Sequence, residues 1–153
     1  PGAAVRAAVR LDGGALTVGG CSLPLQTFAE VVVVGAGKAS VGMAEALQDL
    51  VGERLSRGVV VTKRGQAEGH KLCSKIDVLE ASHPTPDASS VAASSRVLEA
   101  LATAGASSLV LCCISGGASS LLCAPVEGVS LEEKREATRQ LLACGCPIGP
   151  KNA

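Results

Sequence analysis

Tryptophan and tyrosine are absent from this sequence, and Phe28 is its single phenylalanine. Base stacking on aromatic platforms is therefore excluded, and the core has to be built from Val, Leu, Ile and Ala. A surplus of either charge is missing too, with 14 basic residues against 14 acidic ones. Nucleic-acid binders carry a basic excess, so the balance argues against that partner. No uninterrupted apolar run approaches the roughly 20 residues that span a bilayer, which argues against a membrane partner. No CxxC pair occurs, and both histidines lie far along the chain from Cys144 and Cys146. No metal-ligating set is expected. An initiator methionine is also lacking: the chain runs from Pro1 to PIGPKNA, so both ends read as cut, and a targeting leader stays an open question.

What is present points to a folded domain. Hydrophobic residues make up 47% and charged residues 18%, which is not a disordered composition. A length of 153 residues suits one domain and is short for two. The cysteine count of seven is odd, and most sit in apolar runs such as LVLCCIS, with Cys112 and Cys113. Reduced, mostly buried thiols of an intracellular protein are the expectation, in the cytoplasm or, with a leader, the mitochondrion. The CGC at 144–146 is the exception expected to be exposed and oxidisable.

Along the chain, ALTVGGCSLPL (15–25) reads as a small hairpin around Gly19-Gly20. VVVV (31–34) reads as a strand buried on both faces. Residues 39–55 have helical apolar spacing, and GVVVTK (58–63) is a second strand. After a polar loop over 64–75, KIDVLEA (75–81) is a third strand. SHPTPD (82–87) is a turn whose Asp87 can cap a helix over 88–104, with Val91, Val97, Leu98 and Leu101 on one side. SLVLCCI (108–114) is a further apolar strand, and SLEE gives a last helix a capping box from Ser130 to Glu133. Alternating strands and helices predict an α/β fold, a parallel sheet covered on both sides, over 30–153. Residues 1–29 form an N-terminal extension with the hairpin.

Ligands of such sheets bind in loops beyond the carboxyl ends of the strands. GAGKAS is the first such loop. Ser40 stands where a dinucleotide fingerprint has its third glycine, and the next strand ends in Thr62-Lys63-Arg64 instead of an acidic residue. A triphosphate P-loop needs four residues between its first glycine and Gly-Lys, and only Ala36 separates Gly35 from Gly37. A plain turn with a solvated lysine is one reading. The other is an oxyanion site, because Lys38 at a helix N-terminus opposes the helix dipole unless exposed amides and an anion join it. SGGASS (115–120) offers Gly116 and Gly117 for close backbone approach and Ser115, Ser119 and Ser120 as donors, as in an anion nest. A flexible turn competes, as does a serine hydrolase with Ser115 or Ser119 as nucleophile and His83 and Asp87 as partners. The GxSxG elbow is absent, however. His83 shares the row of strand ends.

VVVVGAGKAS, GVVVTK, EASHPTPD, ISGGASSLLCAP and GVSLEEK together resemble the two-domain glycerate 2-kinase family, whose members are also labelled hydroxypyruvate reductases. The resemblance runs from about residue 11 to the end. It implies a Rossmann-like domain facing a second domain across the active-site cleft, and ATP- and Mg²⁺-dependent phosphorylation of D-glycerate to 2-phosphoglycerate. By the same resemblance Lys38 is the catalytic lysine. Gly35, Gly37, Ser115, Gly116, Gly117, Ser119 and Ser120 bind substrate or phosphate, and His83 and Asp87 support them. Ala118 departs from a usual glycine, and its methyl is expected to oppose a positive φ or a close ligand approach. Family members run to more than twice this length, so the missing C-terminal domain is an implied partner and the chain alone is expected to be inactive. CPIGPKNA resembles a helix end leading onward. An NAD-linked hydroxypyruvate reductase and a non-catalytic truncated form are the competing readings.

Overall fold

The computed structural model describes residues 1–144 of the chain. A short helix α1 (Gly2–Ala8) opens it, followed by β1 (Val9–Asp12), β2 (Ala15–Val18) and β3 (Cys21–Pro24). These strands form an antiparallel three-stranded sheet, so the expected hairpin gains a third strand ahead of it. Val9, Leu16 and Leu25 from this segment join the same core as the main sheet.

The main sheet is built from β4 (Glu30–Ala36), β5 (Leu55–Lys63), β6 (Ile76–Ala81) and β7 (Ser108–Ile114). Its four strands run parallel in the order β6-β5-β4-β7. Alternation of side chains along β4 feeds two cores. Val31 and Val33 pack with Val41, Ala44 and Leu47 of α2 (Ser40–Val51). Val32 and Val34 pack with Ala93, Val97 and Ala100 of α3 (Ala88–Ala102). Helices thus cover both faces, as expected for an α/β domain. After β7 come the single turn α4 (Ala118–Leu121) and α5 (Leu131–Ala143). Among the described residues no helix is long and apolar enough to cross a membrane.

Two helix starts follow their sequence signals. Asp87 accepts from the amides of Ser89 and Ser90, with Ser90 closing a capping box. Ser130 and Glu133 form the reciprocal box at α5, at 3.2 and 2.7 Å.

Three expectations need correction. The buried stripe of α3 is Ser90, Ala93, Ser94, Val97 and Ala100, while Leu98 and Leu101 are exposed. Small side chains let α3 lie close on the sheet, and Ser94 Oγ is satisfied by donating to Ser90 O and accepting from Cys123 N. Strand β7 is apolar but not buried on both faces, because among the described residues it pairs only with β4 and its residues Cys112 and Ile114 are exposed. The cysteines are not mostly buried: Cys113 and Cys123 are, whereas Cys21, Cys112 and Cys144 are exposed. Cys21 lies on the small outer sheet and Cys112 on the sheet edge, where an apolar sequence neighbourhood does not enforce burial. Burial pushes the Cys113 thiol up to about 12, which keeps it protonated. Of the CGC stretch, Cys144 is exposed; Gly145, Cys146 and the rest of the CPIGPKNA tail lie outside the described residues.

Candidate functional site

The first loop leaves β4 at Ala36 and reaches α2 within a few residues, which is possible because Gly37 adopts a φ of 130°. A Cβ there would lie 2.1 Å from Ser115 Oγ and 2.6 Å from Ser115 O. The missing side chain lets the turn press against the loop after β7. The two loops then zip together. Ser115 N donates to Ala36 O at 3.0 Å, Lys38 N to Gly116 O at 3.0 Å, and Ala39 N to Ser115 Oγ at 3.0 Å. Gly37 N donates to Val61 O, and Ser40 Oγ binds both Gly37 O and Val61 O. The amides of GAGKAS are therefore spent inside the protein, and the expectation that they remain exposed for an oxyanion is corrected. What this loop offers outward is the Lys38 side chain, exposed and without a carboxylate partner among the described residues.

The amides left over sit in the second loop. Gly116 N, Gly117 N and Ser119 N have no acceptor among the described residues, whereas those of Ser115, Ala118 and Ser120 do. The positive φ falls on Gly117, at 91°. A Cβ there would meet the His83 ring at 2.8 Å and Lys38 Cε at 3.5 Å, so this residue joins all three loops. Ala118 is the first residue of α4 with ordinary backbone, and its methyl packs against the α3-side core. The expected conflict of that methyl with a positive φ does not arise. Ala118→Gly should accordingly cost about 0.5–1 kcal/mol of stability, read as a lower urea midpoint, and bring no gain in ligand affinity.

The third loop brings His83, half-buried beside Gly117. Burial first, then the charges of Lys38 and Lys63, lower its pKa below the ordinary 6.5. A lowered histidine pKa means the unfolded chain takes up the proton first. Stability is then complete above pH 6.5 and is lost as pH falls through that value towards the folded one. Urea titrations between pH 7.5 and 5.5 should show this loss, and His83→Asn should flatten it. Asp87 has a different place. Its carboxyl is held below the usual range by Ser89, Arg64 and the Ser90 and Ser89 amides. It caps α3 and pairs with Arg64 at 2.8 Å, with no bond to His83. Ser115 Oγ likewise binds Ala39 N and not His83. The Ser–His–Asp chain that a hydrolase needs is not formed.

Between the loops lies an open cleft of about 360 Å³. Lys38, His83, Gly116, Gly117, Ser119 and Ser120 line one part of it. Lys134, Thr138, Leu141 and Leu142 of α5 line another. Gly35, Gly37, Ser115 and Asp87 are outside the lining; Gly35 instead packs on Cys113, where a Cβ would come within 2.8 Å. The α5 residues escape a reading by loops, although counting from the Ser130 cap places 134, 138 and 141 on one helix face. Among the described residues no carboxylate lines the cleft, so in a chain of zero net charge this surface is locally positive. A larger hollow of about 520 Å³ opens at the other end of the sheet. Its arginines are neutralised, Arg57 by Glu30 and Arg96 by Asp77 and Glu99, and it lies away from the carboxyl strand ends where such sheets bind ligands. Among the described residues no three His, Cys, Asp or Glu side chains gather to hold a metal ion.

The sequence model described as a domain of unknown function, DUF4147, matches residues 1–153. The chain belongs to the DUF4147 family. Within reach of this DUF4147 chain is a D-glycerate 2-kinase of Thermotoga maritima, 40% identical over 83% of the chain and 30% of the relative. A putative hydroxypyruvate reductase of Agrobacterium vitis is 44% identical over 80% of the chain and 31% of the relative. A crystal structure of a Pyrococcus horikoshii protein superposes with a TM-score of 0.86 at 36% identity, over 99% of the chain and 33% of that protein. The DUF4147 chain thus spans about 30% of the length of the curated relatives it matches.

Proposed function

We propose that this chain forms one wall of the active site of an ATP-dependent kinase that converts D-glycerate to 2-phosphoglycerate. The observation that carries the reading is the cleft at the strand ends, lined by Lys38, Lys134 and the loop with free amides and, among the described residues, by no carboxylate. Relatives named glycerate kinase support it.

Phosphoryl transfer asks the protein for positioning and charge neutralisation more than for covalent chemistry. Lys38 would place its ammonium on the phosphoryl oxygens as charge redistributes. The Gly116, Gly117 and Ser119 amides and the Ser119 hydroxyl would orient the anionic groups, while His83 faces the substrate from the opposite loop. The resemblance implies Mg²⁺, but a lining without carboxylates does not fit a cation held directly by these residues, so no step is assigned to it. With about 30% of its relatives' length, the chain alone is expected to show no turnover.

The test uses the intact protein with ATP, Mg²⁺ and D-glycerate, and follows 2-phosphoglycerate by phosphorus NMR. Formation of that product is expected. Oxidation of NADH with hydroxypyruvate in the absence of ATP, and no phosphorylated product, would overturn the kinase in favour of a reductase. Absence of both activities would favour a non-catalytic form.

A further inference from the structure

We infer that α5 is the nucleotide-binding wall of the cleft: Lys134 takes the phosphates of a nucleoside triphosphate, and Leu141 and Leu142 take its base. This rests on the kinase reading and says which wall holds the phosphoryl donor.

The first observation is the order of side chains along one helix face. Lys134, Thr138, Leu141 and Leu142 stand at i, i+4, i+7 and i+8, and all four line the cleft. At 1.5 Å per residue they run over roughly 10–12 Å, passing from a cation through a hydroxyl to an apolar end. A nucleoside triphosphate has the same succession of phosphates, sugar and base. Thr138 Oγ1 donates to Lys134 O at 2.8 Å, which leaves its lone pairs for a sugar hydroxyl.

The second observation is the charge arrangement. Of the α5 carboxylates, Glu133 is bonded to Ser130 and Glu136 to Arg139 and Gln140, and Glu132 lies outside the cleft lining. Lys134 has no ion pair among the described residues, in contrast to Arg139 on the same helix. It lines the same cleft as Lys38, and among the described residues no carboxylate lines it. Two ammonium groups that line one cleft and have no carboxylate partner are both favoured by a polyanion bound there. The third is the exposure of Leu141 and Leu142, at 39% and 47%, on a helix with no buried residue. This wall carries no tryptophan or tyrosine, and Leu141 and Leu142 are the aliphatic side chains it offers a base at the cleft.

The experiment measures binding by calorimetry in the intact protein, with ATP and with inorganic tripolyphosphate as probes, alongside the KM values for ATP and D-glycerate. Lys134→Ala should weaken both probes about tenfold or more and raise the KM for ATP, with the KM for D-glycerate unchanged. Lys134→Arg should restore binding. Leu141→Ser with Leu142→Ser should weaken ATP but leave tripolyphosphate as it was. Thermal melting of each variant checks the fold, and the paired probes keep the result readable if a leucine variant is destabilised. A Lys134→Ala protein with unchanged ATP affinity, or one that loses D-glycerate alone, would overturn the assignment. Leucine variants that affect neither probe would assign that apolar end to protein packing and overturn the base contact. ATP binding that depends on Lys134 in a protein without glycerate kinase activity would leave the inference standing and sink the kinase reading.

Discussion

Lys38→Ala is expected to lower the turnover of the intact protein roughly 10³-fold, in the range seen when a transition-state charge stabiliser is removed. Its effect on stability should be small. Lys38 is exposed, and its backbone amide, not its side chain, ties the first loop to Gly116 O. Alanine keeps that amide. The ammonium is left without a carboxylate partner among the described residues, beside Gly117 and close enough to His83 to lower its pKa. An uncompensated charge at this position has little structural purpose, because it opposes the protein's own histidine and the positive end of α2. It becomes favourable once phosphate oxygens enter. Steady-state kinetics with ATP and D-glycerate, together with a thermal melt, give the two readouts. A variant turning over within threefold of the parent would remove Lys38 from the catalytic role, and a collapsed melt would make the lysine structural.

Much of this arrangement was legible in the residues, for reasons that differ by element. The run from Val31 to Val34 has no polar position to face solvent, so a strand covered on both sides was the consistent reading, and the two cores bear it out. The Asp87 and Ser130 caps were equally legible, since capping depends on residues three apart. The buried face of α3 was not. The spacing put Leu98 and Leu101 on one side with Val97, yet of these only Val97 is buried, beside Ala93, Ser94 and Ala100, and spacing alone cannot weigh size against hydrophobicity. The role of each loop was also only partly visible. Both GAGKAS and SGGASS looked like anion-binding turns. Long-range bonds between them spend the amides of the first and leave those of Gly116, Gly117 and Ser119 in the second. The place of α5 in the cleft lining depends on a helix meeting loops from three separate stretches of chain, which no local pattern records.

Gly37→Ala should be the most destabilising single change in the cleft region, on the order of 3–5 kcal/mol, by adding backbone strain to overpacking. The φ of 130° is one that an L side chain rarely adopts. A relaxed backbone would not suffice either, because the new Cβ would fall 2.1 Å from Ser115 Oγ and 2.6 Å from Ser115 O. Ser115 cannot simply turn away, since its hydroxyl accepts from Ala39 N and its amide donates to Ala36 O. Separating the loops would break those bonds and the Lys38 N to Gly116 O bond as well, moving Lys38 away from the free amides. Gly116→Ala is the control. Its φ is not positive and nothing lies within 4 Å of the added methyl, so its stability should stay within about 0.5 kcal/mol of the parent. Urea unfolding of the two variants of the intact protein separates the cases. Against a total stability of typically 5–15 kcal/mol, the Gly37 variant should lose a large part of its midpoint and the Gly116 variant almost none. Equal midpoints would mean that the loops are not zipped as described. The glycine in the first loop would then be free for a ligand, and the division of labour between the two loops would have to be reversed.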